Sequence, residues 1–279
     1  MPLTDGQSAV HEAFTDALGQ RFERVDDARV VSLVPSITET LIKLGLREQL
    51  VGRTGFCIHP RAAVRDIAKV GGTKDVKLDA LRRLSPTHVI VNIDENEAPT
   101  VEALRGFVPH VVVTHPNAPA DNLSLYRLLG GIFGRADAAE ALCARLQAQL
   151  DAVSAADWPP ETVLYLIWKN PWMTVAADTY IAGTLTAVGW RVPHGAGGLV
   201  GSARYPQLAD LDAELARVDR VLLSTEPFSF REQHAQQLRA RLAGKPVELI
   251  DGKWTSWYGS RAIEALRQLA EFRGKRLQR

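Results

Sequence analysis

The feature of this sequence that most constrains its fold is a long, uninterrupted helical pattern near the middle of the chain. Between residues 135 and 156, apolar side chains recur at steps of three or four positions, at Ala139, Leu142, Leu146, Leu150 and Val153. No proline follows residue 135 until Pro159. The spacing predicts one helix of about 20 residues, roughly 30 Å long at about 1.5 Å per residue.

Apolar runs typical of strands alternate with helical patterns on both sides of this helix. The runs before it are Val30 to Val34, His88 to Ile93 and His110 to Thr114, and the helical patterns between them include Leu78 to Leu84 and Val101 to Phe107. The runs after it are Val163 to Trp168, Val221 to Ser224 and Val247 to Ile250. Such alternation indicates an α/β fold whose sheets are mainly parallel and covered on both faces. A chain of 279 residues also fits two domains of ordinary size.

Charge and composition exclude several classes of function. Lys and Arg total 33 against 32 Asp and Glu, so a net charge of +1 provides no field to attract nucleic acid or anionic lipid. The two cysteines, Cys57 and Cys143, are too few for a disulfide framework and too far apart for a metal-binding pair. The sequence has no nucleophile elbow and no His-Glu-x-x-His motif. We therefore expect neither an enzyme nor a nucleic-acid-binding protein.

The first residues, Met1 to Gly6, lack the basic start and the apolar run of about 7 to 15 residues that mark a secretory signal. His11 and Glu12 interrupt any apolar run that follows. As written, the sequence predicts a cytoplasmic protein, and the alternative is a periplasmic protein whose signal has been removed.

Four short motifs occur in a fixed order along the chain. They are Arg29 to Leu41, Gly71-Gly72-Thr73-Lys74, Asp94-Glu95-Asn96 and Trp254 to Arg261. In the first motif an apolar strand leads into a helix opened by Ser36 and Thr38, and unpaired amides at a capped helix start can hold a polar ligand group.

This order of motifs resembles the cobalamin and siderophore binding proteins of ABC importers, which are the helical-backbone metal receptors of the class III periplasmic binding protein-like group. The resemblance implies two lobes joined by one long rigid helix, with a ligand cleft between the lobes. We expect an N-terminal lobe over 1–134, the connecting helix over 135–160 and a C-terminal lobe over 161–279.

For residues 14 to 24, the spacing of Phe14, Leu18 and Phe22 is compatible with an amphipathic helix and with a hairpin. The resemblance favours a leading hairpin.

The resemblance also implies a function. We expect a substrate-binding protein for a metal-containing macrocycle or chelate, with cobalamin first and haem or a ferric siderophore as alternatives. It would need no cofactor of its own, act as a monomer and deliver its ligand to an ABC permease. The rival hypothesis is a cytoplasmic corrinoid- or haem-handling protein, or an enzyme, on the same fold without an importer partner.

Candidate ligand-binding residues lie where predicted strands end. In the second lobe, Trp168 and Trp172 follow a strand at the crevice edge of the sheet, and Glu226 ends another strand. Beyond the last strand, Trp254, Trp257, Tyr258 and Arg261 stand among glycine, serine and threonine, which indicates a loop suited to flat ligands. Core packing is the alternative for these tryptophans, and we prefer it for Trp190.

In the first lobe the resemblance places two loops at the ligand. One contains Thr54, Phe56 and Cys57, and the other contains Gly72 and Thr73, where the lack of a glycine side chain permits close approach of a bulky ligand.

Candidate metal ligands and docking residues are less sharply defined. His59 and His194 stand in loops beside prolines and could be axial ligands of a bound metal, or solvated histidines. His88 and His110 begin strands, and we interpret them as structural. The resemblance implies that acidic residues dock onto permease arginines, and the candidates are Glu95, Glu97 and Asp212, with solvated surface charge as the alternative.

Overall fold

The computed structural model describes residues 14–193, 199–200, 204–242 and 244–277. The chain divides into two compact units. The first unit comprises the residues up to 115 together with 126–140, and the second unit comprises 116–125 together with 141–279. Among the described residues, no helix combines the length and the apolar character needed to cross a bilayer.

The first unit contains a short leading hairpin and a five-stranded parallel sheet. Its strands are β1 (Phe14–Thr15), β2 (Arg21–Phe22), β3 (Val30–Ser32), β4 (Leu50–Arg53), β5 (Ala68–Lys69), β6 (His88–Asn92) and β7 (His110–Thr114). Its helices are α1 (Pro35–Lys43), α2 (Arg61–Val64), α3 (Leu78–Arg83) and α4 (Ala98–Arg105). The strand order is β5-β4-β3-β6-β7, and every pairing is parallel. All of β3 and β6 is buried, as expected for strands covered on both faces.

The segment 14–24 forms the predicted hairpin, in which β1 pairs antiparallel with β2. Asp16 anchors it: one carboxylate oxygen accepts from the amides of Leu18 and Gln20 at 2.9 and 3.0 Å, and the other accepts from the amide of Val113 at 3.0 Å. The amide of Ala17 donates to the Val113 carbonyl at 3.0 Å. The hairpin therefore satisfies backbone groups of β7, which is an edge strand of the sheet.

The chain passes between the units at three points, and two of these lie within the helices α5 (Asp121–Ile132) and α6 (Ala136–Ala155). The 20 residues of α6 confirm the long helix predicted from the apolar spacing. Ala139, Leu142, Leu146 and Val153 are all buried on this helix.

The second unit contains a four-stranded sheet and a small antiparallel pair. Its strands are β8 (Glu161–Leu166), β9 (Trp190–Arg191), β10 (Leu199–Val200), β11 (Gln207–Leu208), β12 (Arg220–Ser224) and β13 (Val247–Ile250). Its helices are α7 (Tyr180–Ala187), α8 (Leu211–Arg217), α9 (Glu232–Arg239), α10 (Gly252–Ser256) and α11 (Ala262–Leu277), with a 3₁₀ turn at Gly259–Arg261. The sheet order is β13-β12-β8-β9, all parallel, while β10 pairs antiparallel with β11. Both larger sheets are parallel, which confirms the predicted α/β class.

One local prediction in the first unit is wrong. Helix α1 begins at Pro35 with Val34 at its cap position, and no side chain caps it. The Thr38 hydroxyl instead donates to the Ser32 hydroxyl at 2.9 Å and lies 3.0 Å from the Val34 carbonyl. Proline at the first position supplies the required φ and removes one of the unpaired amides of the helix start, which reduces the need for a side-chain cap.

Buried aromatic and imidazole groups behave as expected from the sequence. Trp190 is 1% exposed and donates from its indole nitrogen to Glu161 at 2.7 Å, which confirms its core role. His88 is 1% exposed, and its ring stacks on that of His110 at 4.6 Å. Burial, together with the neighbouring His110, lowers the pKa of His88 from 6.5 to about 4.

Candidate functional site

The loops that follow the strands of the first unit are joined at one edge of its sheet. The Asn96 amide nitrogen donates to the carbonyl of Thr73 at 2.9 Å and to that of Leu33 at 3.4 Å. Its amide oxygen accepts from the backbone of Asn92 at 2.9 Å. One side chain thus connects the loops after β3, β5 and β6. This is the edge at which open α/β sheets bind ligands.

Three predicted ligand residues of the first unit lie inside it. Cys57 and Thr38 are fully buried and Ser36 is 4% exposed. The Cys57 sulfur lies 3.1 Å from the Thr54 hydroxyl oxygen and 3.9 Å from the Ser32 carbonyl. Burial raises the pKa of the Cys57 thiol, so the thiol stays protonated. These residues support the loops, and their contact with ligand stays a prediction.

Phe56 is the exposed aromatic of this edge, with 63% of its surface accessible. It lies beside Gly72, where an added Cβ would be 3.3 Å from the ring. Gly71 has a φ of +101°, and a Cβ there would lie 2.2 Å from the Asp75 carbonyl oxygen. The two glycines are therefore explained by a tight turn and by the neighbouring ring. Phe56 and the adjacent Ile58, 52% exposed, present an apolar surface to solvent.

In the second unit, an aromatic cluster follows β8 and β12. Trp168 is 39% exposed and meets Phe228 edge to face, with the centroids 5.6 Å apart. Trp172 stacks on Phe230 at 6.0 Å, and its ring lies 5.6 Å from the Lys169 ammonium. Trp172 and Phe228 also pack against the core, while Trp168 leaves part of its ring accessible.

Glu226 connects this cluster with the segment after β13. Its Oε1 accepts from the indole nitrogen of Trp257 at 2.8 Å and from the Ser256 hydroxyl at 3.0 Å. The Arg261 guanidinium lies over the Trp257 ring, 4.5 Å from its centroid. The structure thus brings together three predicted residues, Glu226, Trp257 and Arg261, in one polar and aromatic group.

The segment around Trp254 differs from the predicted loop. Residues 252–256 form helix α10, because Asp251 caps it by accepting from the Lys253 amide at 3.0 Å. Trp254 on this helix is half-buried and meets Phe272 edge to face at 6.2 Å. Tyr258 is 5% exposed and packs against Tyr180 at 5.6 Å. Both aromatics have packing contacts, so a role in ligand binding stays a prediction for each.

The candidate metal ligands and permease-docking residues differ in burial and in pairing. Within the described part of the chain, no group of three or more His, Cys, Asp and Glu side chains is arranged to hold a metal ion. His59 is half-buried, and His194 lies outside the described residues. Glu97 is exposed and Glu95 half-buried, whereas Asp212 pairs with Arg241 at 2.5 Å.

Sequence reasoning missed several partners of the predicted residues. Phe230 is not among the ligand-binding residues predicted from the sequence. Ser224 and Ser256 form no recognisable sequence motif. The spacing of Phe228 and Phe230, two residues apart after a strand end, is a signal that could have indicated the aromatic cluster.

Comparison with known proteins places this arrangement in context. A family model described as periplasmic binding protein matches residues 30–192, more than half of the chain. No protein of curated function matches the sequence significantly.

The fold is similar to that of the periplasmic vitamin B12 binding protein BtuF of Vibrio cholerae, with a TM-score of 0.76 and 16% identity over 91% of this chain and 100% of the other. It is also similar to the periplasmic haem-binding protein RhuT of Roseiflexus sp. RS-1, with a TM-score of 0.69 and 20% identity over 89% and 98%. A third similar structure is the periplasmic haem-binding protein BhuT with two haems, at a TM-score of 0.71 and 22% identity over 89% and 98%.

These findings decide two of the sequence-based expectations. The expectation of a cytoplasmic location is wrong, because the matching family and the similar structures are periplasmic binding proteins, which points to the periplasm. The expectation that the chain is not an enzyme is confirmed, because the family consists of solute-binding proteins.

Proposed function

The chain belongs to the periplasmic binding protein family, and we propose on this premise that it is the substrate-binding protein of an ABC importer for a metal-containing macrocycle or chelate. Cobalamin is the first ligand that we propose. Haem and a ferric siderophore are the alternatives, since the similar structures include a vitamin B12 binding protein and haem-binding proteins.

The observation that carries this proposal is the aromatic and polar group at the strand ends of the second unit. Trp168 meets Phe228 edge to face, and Trp257, which lies under the Arg261 guanidinium, donates to the carboxylate of Glu226. Large flat rings suit large flat ligands, because they remove apolar area from water on both partners at a small loss of conformational freedom. The exposed ring of Phe56 gives the first unit a similar surface.

We propose that ligand contacts come mainly from the accessible members of the predicted set. These are Phe56, Gly72, Thr73, Trp168, Trp172, Glu226, Trp257 and Arg261. Trp254, Tyr258, Ser36, Thr38 and Cys57 would act mainly by supporting them. We further propose that Glu95, Glu97 and Asp212 face permease arginines and that His59 acts as an axial metal ligand.

The visible absorption spectrum of the protein recovered from the periplasm of its native cells tests the proposal. Corrinoids, haem and ferric chelates absorb at different wavelengths, so a bound chromophore identifies the class of ligand. We expect a corrinoid spectrum. A colourless protein that carries an organic solute without a metal would contradict the proposal.

A further inference from the structure

Glu226 uses only one of its two carboxylate oxygens within the protein. Its Oε1 accepts both donors, the Trp257 indole and the Ser256 hydroxyl. Among the described residues its Oε2 accepts no hydrogen bond, and Glu226 takes part in no ion pair. The side chain as a whole is half-buried.

The carboxylate is held in position from several sides. The Ser224 hydroxyl lies 2.5 Å from the Glu226 carbonyl oxygen and 3.3 Å from its backbone nitrogen. Gly252 leaves room for the side chain, since a Cβ there would lie 2.5 Å from the Glu226 Cγ. A carboxylate that is already oriented loses little conformational freedom when a ligand binds.

Two carboxylates, those of Glu226 and Asp251, act on the buried Tyr165 hydroxyl. The pKa of the Tyr165 hydroxyl is raised to about 12, mainly by burial, and the carboxylates of Glu226 and Asp251 contribute to this rise. The Arg261 guanidinium lies over the Trp257 ring, 4.5 Å from its centroid. A ligand group placed at Oε2 therefore meets a hydrogen-bond acceptor with a negative charge.

We propose that Glu226 determines specificity by accepting hydrogen bonds from a ligand and by repelling ligand carboxylates. The inference rests on the proposed function and deepens it. Corrinoids carry primary amide side chains, which donate hydrogen bonds, whereas haem carries carboxylates. An amide N–H can bond to Oε2, but a carboxylate would bring two negative acceptors together. The site therefore favours macrocycles with amide groups over macrocycles with carboxylate groups.

The test is a titration of purified protein, freed of bound ligand, with dicyanocobinamide and with haemin. In Glu226→Gln, the amide oxygen still accepts from Trp257 and Ser256, while the acceptor at Oε2 becomes a donor without charge. We expect the affinity for dicyanocobinamide to fall about tenfold or more, and the affinity for haemin to stay equal or to rise. Glu232→Gln, on a glutamate of α9 that is paired with Arg239, is the matched control and should change neither affinity.

Each outcome of the titration has one meaning. Equal binding of dicyanocobinamide by the wild type and Glu226→Gln would overturn this inference and leave the proposed function intact, as would an equal loss for both probes. Binding of neither probe by the wild type would overturn this inference and would also remove corrinoids and haem from the proposed function. If Glu226→Gln fails to fold, Glu226→Asp provides the test, because it keeps the charge but withdraws the oxygens by one methylene. Its affinity for dicyanocobinamide should fall while that for haemin stays low, and unchanged affinity for dicyanocobinamide would again overturn the inference.

Discussion

At the scale of single residues, the aromatic side chains of the second unit differ in what holds them. Trp257 is fixed by a hydrogen bond from its indole nitrogen to Glu226 and by the Arg261 guanidinium over its ring. Trp254 is fixed by apolar contact with Phe272. A ring that is held by a hydrogen bond and a cation–π contact can still contact a ligand. A ring that is packed against another apolar side chain contributes to the stability of the unit.

This difference predicts different outcomes for two alanine substitutions. Trp257→Ala should weaken ligand binding by about 1 to 3 kcal/mol, the loss typical of a hot-spot aromatic, with little change in melting temperature. Trp254→Ala should lower the free energy of unfolding, because it removes the contact with Phe272. Calorimetric titration and thermal unfolding of the same two variants measure both effects. Unchanged affinity in a folded Trp257→Ala protein would remove this residue from the site.

A second residue-scale prediction concerns His88 and pH. In the unfolded chain this imidazole titrates near 6.5, and in the folded protein its pKa is about 4. Between these values the unfolded state binds more protons, so the stability contributed by neutral His88 is present above pH 6.5 and is lost as the pH falls toward 4. The loss amounts to about 3 kcal/mol.

Denaturant unfolding of the wild type and of His88→Gln at pH 7 and at pH 4.5 measures this effect. The variant should be less stable at pH 7, because Gln does not reproduce the stacking on His110 and the edge contact with Phe133. Its stability should also fall less between the two pH values. Parallel pH dependence of the two proteins would show that His88 is not the group responsible.

At the scale of elements, the predicted strands and helices agree with the structure because their apolar patterns are long. The runs at His88 and His110 became β6 and β7, and the spacing after residue 135 became α6. Short elements such as β5, with 2 residues, and α2, with 4, carry too few side chains for a recognisable period. Helix α10 was missed because glycine, serine and threonine indicated a loop, whereas the cap from Asp251 stabilises a single turn.

The site was predictable in its residue types but not in its contacts. Tryptophans and a glutamate after strand ends were visible in the sequence. The bond between Glu226 and Trp257 joins residues that lie 31 positions apart, so it depends on the register of β12 against β13. A single sequence does not contain that register.

One element-scale prediction follows from the close approach of α10 to the end of β12. A Cβ at Gly252 would lie 2.5 Å from both the Glu226 Cγ and the Ser224 Oγ. Gly252→Ala should therefore displace Glu226, cost about 1 to 3 kcal/mol of stability and weaken ligand binding.

The matched control is Gly274→Ala on α11, where nothing lies within 4 Å of an added Cβ. That change should stabilise the helix by about 0.5 to 1 kcal/mol and leave binding unchanged. Thermal unfolding and titration of both variants check the pair, and equal behaviour of the two would contradict the close-packing argument.

At the scale of the whole molecule, each unit contains a parallel sheet whose strands end in loops that carry candidate ligand contacts. The alternation of strands and helices, the long α6 and the order of the motifs were sufficient to predict the fold class and the binding-protein family. The prediction of a cytoplasmic location was wrong because it rested on the amino-terminal sequence and not on the fold. For the ligand, the sequence predicts only a class, the flat metal chelates, because aromatic faces accept several members of that class.

The central claim is that this chain binds a metal-containing macrocycle, with cobalamin first, and calorimetric titration tests it most directly. The protein, at micromolar concentration and freed of bound ligand, is titrated separately with cobalamin, dicyanocobinamide and haemin. We predict a one-to-one isotherm with cobalamin, and weaker binding of haemin. Absence of binding heat with all three ligands, in protein that unfolds cooperatively, would contradict the claim.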